Sequence, residues 1–348
     1  MSVARRRWRR RREAPTFHEF ASEWLADRAR ELRATTLATY EWELSHHLLP
    51  HFARVRVDAI GVEEVDRYRR RKVAEGRLGA TSINKTIGRL GQILDVAQER
   101  GLIVQNPVRV NPRNRKVRGS RPSRPWLEPE QVLALLHAAA GLDRGDGRGL
   151  AIRRPLLATL AWAGLRVGEA TALRWRDVSL ADGAIRVDES KTAAGVRTVD
   201  VQPELHDELA AWRAVTPFGG PDDFVFPTRS GGPQNRHNVR QRVVLKSAAA
   251  ANAHFVATGR PVLPEGLSPH ALRRSFASWL IAEGEDVAYV MQQMGHEDPS
   301  MTLGVYARAV RSGRRSARSA RRIEHLDRAP TATGDAGSLL APSSGVAA

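Results

Sequence analysis

Cysteine is absent from the 348 residues, which excludes disulfides, thiolate catalysis and cysteine-ligated zinc and fits a reducing compartment. Long apolar runs are missing too: nothing approaches the roughly 20 consecutive apolar residues that cross a bilayer. The N-terminal stretch RRRWRRRREAPTFHEF turns polar where a secretory leader would carry an apolar segment. A soluble, cytoplasmic protein with no membrane partner is therefore expected. Acidic residues are few beside basic ones, 38 Asp and Glu against 55 Lys and Arg, for a net charge of +17. That imbalance points to a polyanionic partner, because each cation placed on a phosphate releases condensed counterions.

Much of the excess lies in two terminal runs. Arg5, Arg6, Arg7, Arg9, Arg10, Arg11 and Arg12 form one, and Arg308, Arg311, Arg314, Arg315, Arg318, Arg321 and Arg322 form the other. Neither run has the apolar face that a membrane-surface helix needs, so contact with nucleic acid is the expected use, with a solvated tail as the alternative.

What is present is mainly helical. Residues 16–105 read as a bundle of helices, the last of which repeats Ile83, Ile87, Leu90, Ile93, Leu94 and Ala97 at spacings of three and four. Thr81 or Ser82 is placed to cap it and Gly101 to end it. Pro50 is expected to break the helix carrying His46, His47 and His51, which removes the spacing a metal site would use. Residues 106–125, NPVRVNPRNRKVRGSRPSRP, read as a basic interdomain linker in which Arg113, Arg115, Lys116 and Arg118 are candidate DNA contacts. Beyond it, helical stretches flank two strands, AIRVDES and VRTVDV, around a KTAAG turn. The expected organisation is a basic arm (1–15), a helical DNA-binding domain (16–105), the linker, a second domain (126–310) that is mainly α with a small antiparallel β-sheet, and a basic, low-complexity tail (311–348). GDGRG at 145–149 has neither the preceding strand nor the GK[ST] of a phosphate loop and reads as a surface loop.

Four short segments of the second domain carry chemistry. AGLRVGEATALRW puts Arg166 in a glycine-bounded turn ahead of a helix, with Glu169 one turn later able to hold it. ESKTAAGVRT puts Lys191 at a hairpin tip, and SPHALRRSF puts His270 and Arg273 three apart on one helical face. MGHEDPSMTLGVYARAV ends the series with His296 and Tyr306. Each alone reads as a surface feature. Together they hold what phosphoryl transfer at a DNA backbone requires: two arginines for the non-bridging oxygens, a lysine to protonate the leaving oxygen, histidines to bond phosphate or accept a proton, and a phenol to attack. No metal and no cofactor is needed. Among the other phenols, Tyr289 lies on the helix of Val287, Val290, Met291 and Met294, where packing explains it.

In the order and spacing of GLR-x-GE, the hairpin lysine, PH-x-LR, the Gly-His pair and a tyrosine ten residues on, the chain resembles the tyrosine recombinases of the phage integrase family over residues 16–310. The resemblance implies a two-domain DNA clamp. It also implies a catalytic set of Arg166, Lys191, His270, Arg273, His296 and Tyr306, supported by Glu169, with Tyr306 as nucleophile. Its implied partners are double-stranded recombination sites, a tetramer of this chain on two sites, and an accessory DNA-bending or excision factor, in a nucleoid-associated bacterial or phage-encoded protein. Two features depart from the pattern: Gly304 stands where relatives often have a polar or basic residue, and the arm-binding domain common in phage integrases is absent or reduced to the arginine run. A catalytically silent DNA-binding regulator of the same fold and a DNA-relaxing topoisomerase using the same chemistry stand as alternatives.

Overall fold

The computed structural model describes residues 14–112, 116–119, 125–145, 150–188 and 195–298. Two compact units, Met1–Pro122 and Ser123–Ala348, divide the chain. Among the described residues no helix is long and apolar enough to cross a membrane.

The first unit is helical: α1 Phe17–Ala29, α2 Ala34–Glu43, α3 Leu49–Phe52, α4 Val62–Glu75 and α5 Ala80–Glu99. Thr16 caps α1 through a reciprocal box with Glu19, which satisfies two of the helix's otherwise unpaired N–H groups. The core is aromatic at one end, where Phe17, Phe20, Phe52 and Tyr68 are fully enclosed, and aliphatic along α5. All six positions of the α5 stripe, Ile83 to Ala97, are buried. The start of α5 differs from expectation: Gly79 is the N-cap and no side chain caps it, so Thr81 and Ser82 lie inside the helix. Its end is as read, with Gly101 left-handed at φ 69° and the Leu102 N–H returning to Ala97 O at 2.9 Å.

Pro50 does not break its helix. Residues Leu44–Leu48 widen into a π-turn that joins α2 to α3, and Pro50 falls in the first turn of α3. There the missing N–H costs little. The residues after α5 are docked on it: the Asn106 amide donates to Gly91 O (2.8 Å) and Asp95 Oδ1 (2.6 Å), and Asn84 exchanges two bonds with the Val117 backbone.

The second unit holds α6 Pro129–Gly145, α7 Arg153–Trp162, α8 Val167–Ala172, three strands, α9 Pro203–Val215, α10 Arg236–Asn238, α11 Leu245–Ala257, α12 Pro269–Glu283 and α13 Val287–Met294. A π-turn over Val239–Val244 joins α10 to α11. Helix α7 is the pivot of the core and packs against α6, α9 and α12. Its Leu156, Leu157, Leu160 and Ala161 are all fully enclosed.

The sheet is antiparallel in the order β1 Val178–Ser179, β2 Ala184–Val187, β3 Arg197–Asp200. Its register pairs Ile185 with Val199 and Val187 with Arg197. The two-residue β1 was not foreseen, being too short to show an alternation. Strand period sets Ile185, Val187, Arg197 and Val199 on the covered face and Thr198 and Asp200 outward. Three features thereby come together: the turn before α8, the covered face of β3, and the C-terminus of α13.

Candidate active site

The turn that presents Arg166 depends on Gly164, whose φ of +57° is left-handed and whose added Cβ would run into the Phe276 ring. Arg166 is then the N-cap of α8. Its N–H donates to Glu169 Oε2 at 2.8 Å, while its guanidinium donates to Glu169 Oε1 at 2.6 Å. One carboxylate thus caps the start of the helix and grips the side chain, the physical content of the R-x-x-E spacing.

Helix α13 stops at Gly295, left-handed at φ 57°. The Gly295 N–H returns to Gln292 O (3.0 Å) and the His296 N–H to Met291 O (3.1 Å), a Schellman ending. The next three carbonyls have no helical donor, and each takes an arginine from a different element. Gln293 O accepts from Arg197 Nε at 2.7 Å, Met294 O from Arg273, and Gly295 O from Arg166 at 2.7 Å. Positive charge at a helix C-terminus is stabilised by the aligned peptide dipoles. The second fork of Arg273 donates to Gly164 O, so the same guanidinium ties α12 to the turn before α8.

Glu169 lies between the arginines. Arg197 Nη2 reaches its Oε2 at 3.0 Å and Arg273 stands 4.0 Å away. Burial by itself would raise this carboxyl, but the bond and charge of Arg197, followed by the bonds from Arg166, hold it below its usual range. It is therefore ionised at neutral pH. Three guanidiniums facing one carboxylate leave a surplus of about two positive charges in a largely desolvated place. Burial, followed by the charge of Arg166, pushes Arg273 down to about 9. Such a site attracts an anion.

The histidines respond to the same field. Half-buried His296 is pushed down to about 4 by desolvation and then by Arg273, Arg166, Arg197 and His270. His270, exposed as a residue, is also lowered, first by partial burial of its ring and then by Arg273, Arg274 and Arg166. Both are neutral at pH 7, so each ring keeps one nitrogen able to accept a proton. A bound phosphate offsets the arginine charge and raises both values. Binding a DNA duplex near pH 5.5 should therefore take up protons, and binding at pH 8 should not. The binding enthalpy, measured in buffers of different ionisation enthalpy, should show that difference, and His296→Asn should shrink it.

The structure brings together Arg166, Glu169, Arg273 and His296 through contacts and one electrostatic field, with His270 beside Arg273 on α12. Lys191 and Tyr306 lie outside the described residues, as do Arg5, Arg6, Arg7, Arg9, Arg10, Arg113, Arg115 and residues 146–149 of the GDGRG segment. Lys116 and Arg118 are exposed on the docked segment after α5. Arg197, buried at 8% exposure, was missed. Its signal was the alternation of VRTVDV, which gives Arg197 the parity of Val199 and Val201, and an inward arginine requires a partner. Tyr289 does more than pack, because its hydroxyl donates to Asp200 Oδ2 at 2.7 Å.

Residues 125–312 match the phage integrase family and residues 17–111 the phage integrase central domain. The tyrosine recombinase XerC of Methylobacterium sp. (strain 4-46) is 28% identical over 308 residues, covering 83% of this chain and 88% of that protein. XerC of Xanthomonas axonopodis pv. citri is 32% identical over 149 residues, 43% of this chain. The chain spans less than half the length of that relative, 44%. The Tn1549 transposon integrase in complex with circular intermediate DNA shares the fold at a TM-score of 0.69, with 19% identity over 88% of this chain and 99% of that one. A lambda integrase dimer bound to a COC′ core site does so at 0.67, with 18% identity over 84% of this chain and 78% of that one. With both of its units matched in sequence, the chain belongs to the phage integrase family.

Proposed function

We propose that the chain is a site-specific DNA recombinase that cuts and rejoins duplex DNA through a 3′-phosphotyrosyl intermediate at Tyr306, for integration or excision of a mobile element or phage. The observation that carries the reading is the cluster of Arg166, Arg197 and Arg273 around the single carboxylate of Glu169, beside two neutral histidines. It is an anion site held ready in advance, and an in-line displacement at phosphorus needs its negative charge met by donors already in place.

In the reaction the Tyr306 phenol oxygen bonds to the scissile phosphorus and gives its proton to a neutral histidine. The bond from phosphorus to the 5′ oxygen breaks, and Lys191 protonates that oxygen. Arg166 and Arg273 hold the non-bridging oxygens. Attack by a 5′-hydroxyl of a partner duplex reverses the step, and the phosphodiester energy stays in the tyrosyl linkage, so no nucleotide cofactor is consumed. The chain has four tyrosines, and the other three are committed elsewhere. Tyr40 stacks on Trp24 beneath Arg89. Tyr68 is buried, donates to Thr86 Oγ1 at 2.8 Å and is pushed up to about 12, mainly by that burial. Tyr289 is held by Asp200.

The proposed partners are two recombination sites and three further copies of this chain. Lambda integrase, of the same fold, is seen as a tetramer on a Holliday junction. An accessory DNA-bending or excision factor and a cytoplasmic, nucleoid-associated location accord with this reading. The arginines of residues 1–15 and the basic segment 113–118 act as sequence-independent phosphate contacts.

The test uses a pool of nicked duplexes with a randomised core, from which sequences that become attached to the protein are recovered and then paired. A recombinase exchanges strands between two recovered duplexes. A silent regulator forms no attachment, and a relaxing enzyme attaches without exchange. Lys191→Ala is expected to cleave ordinary duplexes about 10² to 10³ times more slowly. Replacing the bridging 5′ oxygen by sulfur, which leaves without a proton, should restore the rate, and an unrescued variant would remove Lys191 from the acid role.

A further inference from the structure

The three successive carbonyls that end α13 receive Arg197, Arg273 and Arg166, in that order along the helix. Arg273 and Arg166 are the proposed phosphate ligands. Arg197 is the third, and like Arg273 it is buried, with its guanidinium divided among four acceptors: Gln293 O, Gly195 O at 2.9 Å, and both oxygens of Glu169, at 3.3 and 3.0 Å. Of the three arginines it alone lies on strand β3.

A second tie joins the same strand to the same helix. The Asp200 N–H donates to Gln293 Oε1 at 3.0 Å, and Gln293 Nε2 and the Tyr289 hydroxyl both donate to Asp200 Oδ2, at 3.1 and 2.7 Å. Gln293 is 2% exposed, so its end of this tie is shielded from solvent, while the Tyr289–Asp200 bond lies at the surface. Strand β3 is thus fastened to α13 at both of its ends, by Arg197 at the first residue and Asp200 at the last.

We infer that Arg197 is a positioning residue for strand cleavage: it locks the end of α13 and the carboxylate of Glu169 to strand β3, and so sets the two phosphate-binding arginines and His296 in register with one another. This rests on the proposed recombinase reaction. A lysine keeps the charge but has no planar fork and cannot meet four acceptors set around it. Loss of the fork lets the α13 end and Glu169 shift, and a displacement of about 1 Å at a reacting centre costs about 10²-fold in rate.

The probe is a nicked suicide duplex selected from the randomised pool by the parent protein, with covalent attachment followed in a single turnover. Arg197→Lys is expected to lower the attachment rate about 10²-fold while its affinity for the duplex stays close to that of the parent; its unfolding temperature should fall, because buried acceptors lose the fork, with the variant still folded at the assay temperature. Arg197→Met, which also removes the charge, should lose at least as much and should move the acid limb of its pH–rate profile to higher pH. Without Arg197 the burial of Glu169 is offset by less, chiefly by the bonds from Arg166, so its carboxyl moves up. Should either variant fold poorly, Gln293→Met cuts the second tie and leaves the carbonyl that Arg197 uses; it should lose rate in the same sense but less. A folded Arg197→Lys variant that attaches within a factor of about three of the parent, or a rate loss matched by an equal loss of affinity, overturns the positioning role. A parent protein that attaches to no duplex in the pool overturns the recombinase reading itself, which a parent-active, variant-active result does not touch.

Discussion

Tyr306→Phe should bind its DNA with the parent's affinity and form no covalent adduct, a loss of more than about 10⁴-fold in attachment rate. The hydroxyl is the sole attacking atom in the proposed reaction, and removing the nucleophile from a covalent mechanism costs on that order or more, because nothing else in the site can take over the step. Affinity is spared because phosphate contacts come from the arginines and the basic segments, not from the phenol. The two properties separate in one experiment, with gel shift for binding and a denaturing gel for attachment. An adduct that survives denaturant in the Phe variant would move the nucleophile to another residue.

The second large effect concerns the paired arginines. Arg166→Lys and Arg273→Lys should each slow single-turnover cleavage by about 10² to 10³, the range for loss of one donor from a preorganised oxyanion site. Lysine keeps the charge but cannot both hold its carbonyl and present a second, coplanar donor. The two substitutions should also differ. Arg273 is 4% exposed and braces Gly164 O and Met294 O, so its replacement should lower the unfolding temperature as well. Arg166 keeps 31% of its side chain exposed, and its replacement should leave stability nearly unchanged. A Lys variant cleaving within a factor of about three of the parent would show that the arginine does not bind the transition state.

The parts of this site that could be read in the sequence were those encoded locally. A glycine before an arginine, a glutamate three residues later, and His-x-x-Arg on one helical turn each follow from helix geometry, and the stripe of α5 follows from its period. Arg166 and Glu169 could be paired for that reason. What could not be read was long-range. Arg197 meets Gln293 across 96 positions and Arg273 meets Gly164 across 109, and no spacing rule reaches that far. The N-cap of α5 differs from expectation because Thr81 and Ser82 are intrinsically good caps, whereas Gly79 serves through backbone conformation alone. Pro50 was misjudged for a related reason: the π-turn ahead of it leaves the proline in a first turn, and π-turns have no sequence rule as firm as that for proline itself.

The central claim is that Tyr306 attacks DNA and keeps the 3′ end. The most direct measurement is to isolate the covalent adduct from a nicked suicide duplex, digest it with protease and nuclease, and identify the modified peptide by mass spectrometry together with the chemistry of the released strand. The account predicts a phosphate-linked nucleotide on the peptide containing Tyr306, joined through the 3′ phosphate, with a free 5′-hydroxyl on the departing strand. Attachment at any other residue, or through a 5′ phosphate, would contradict it.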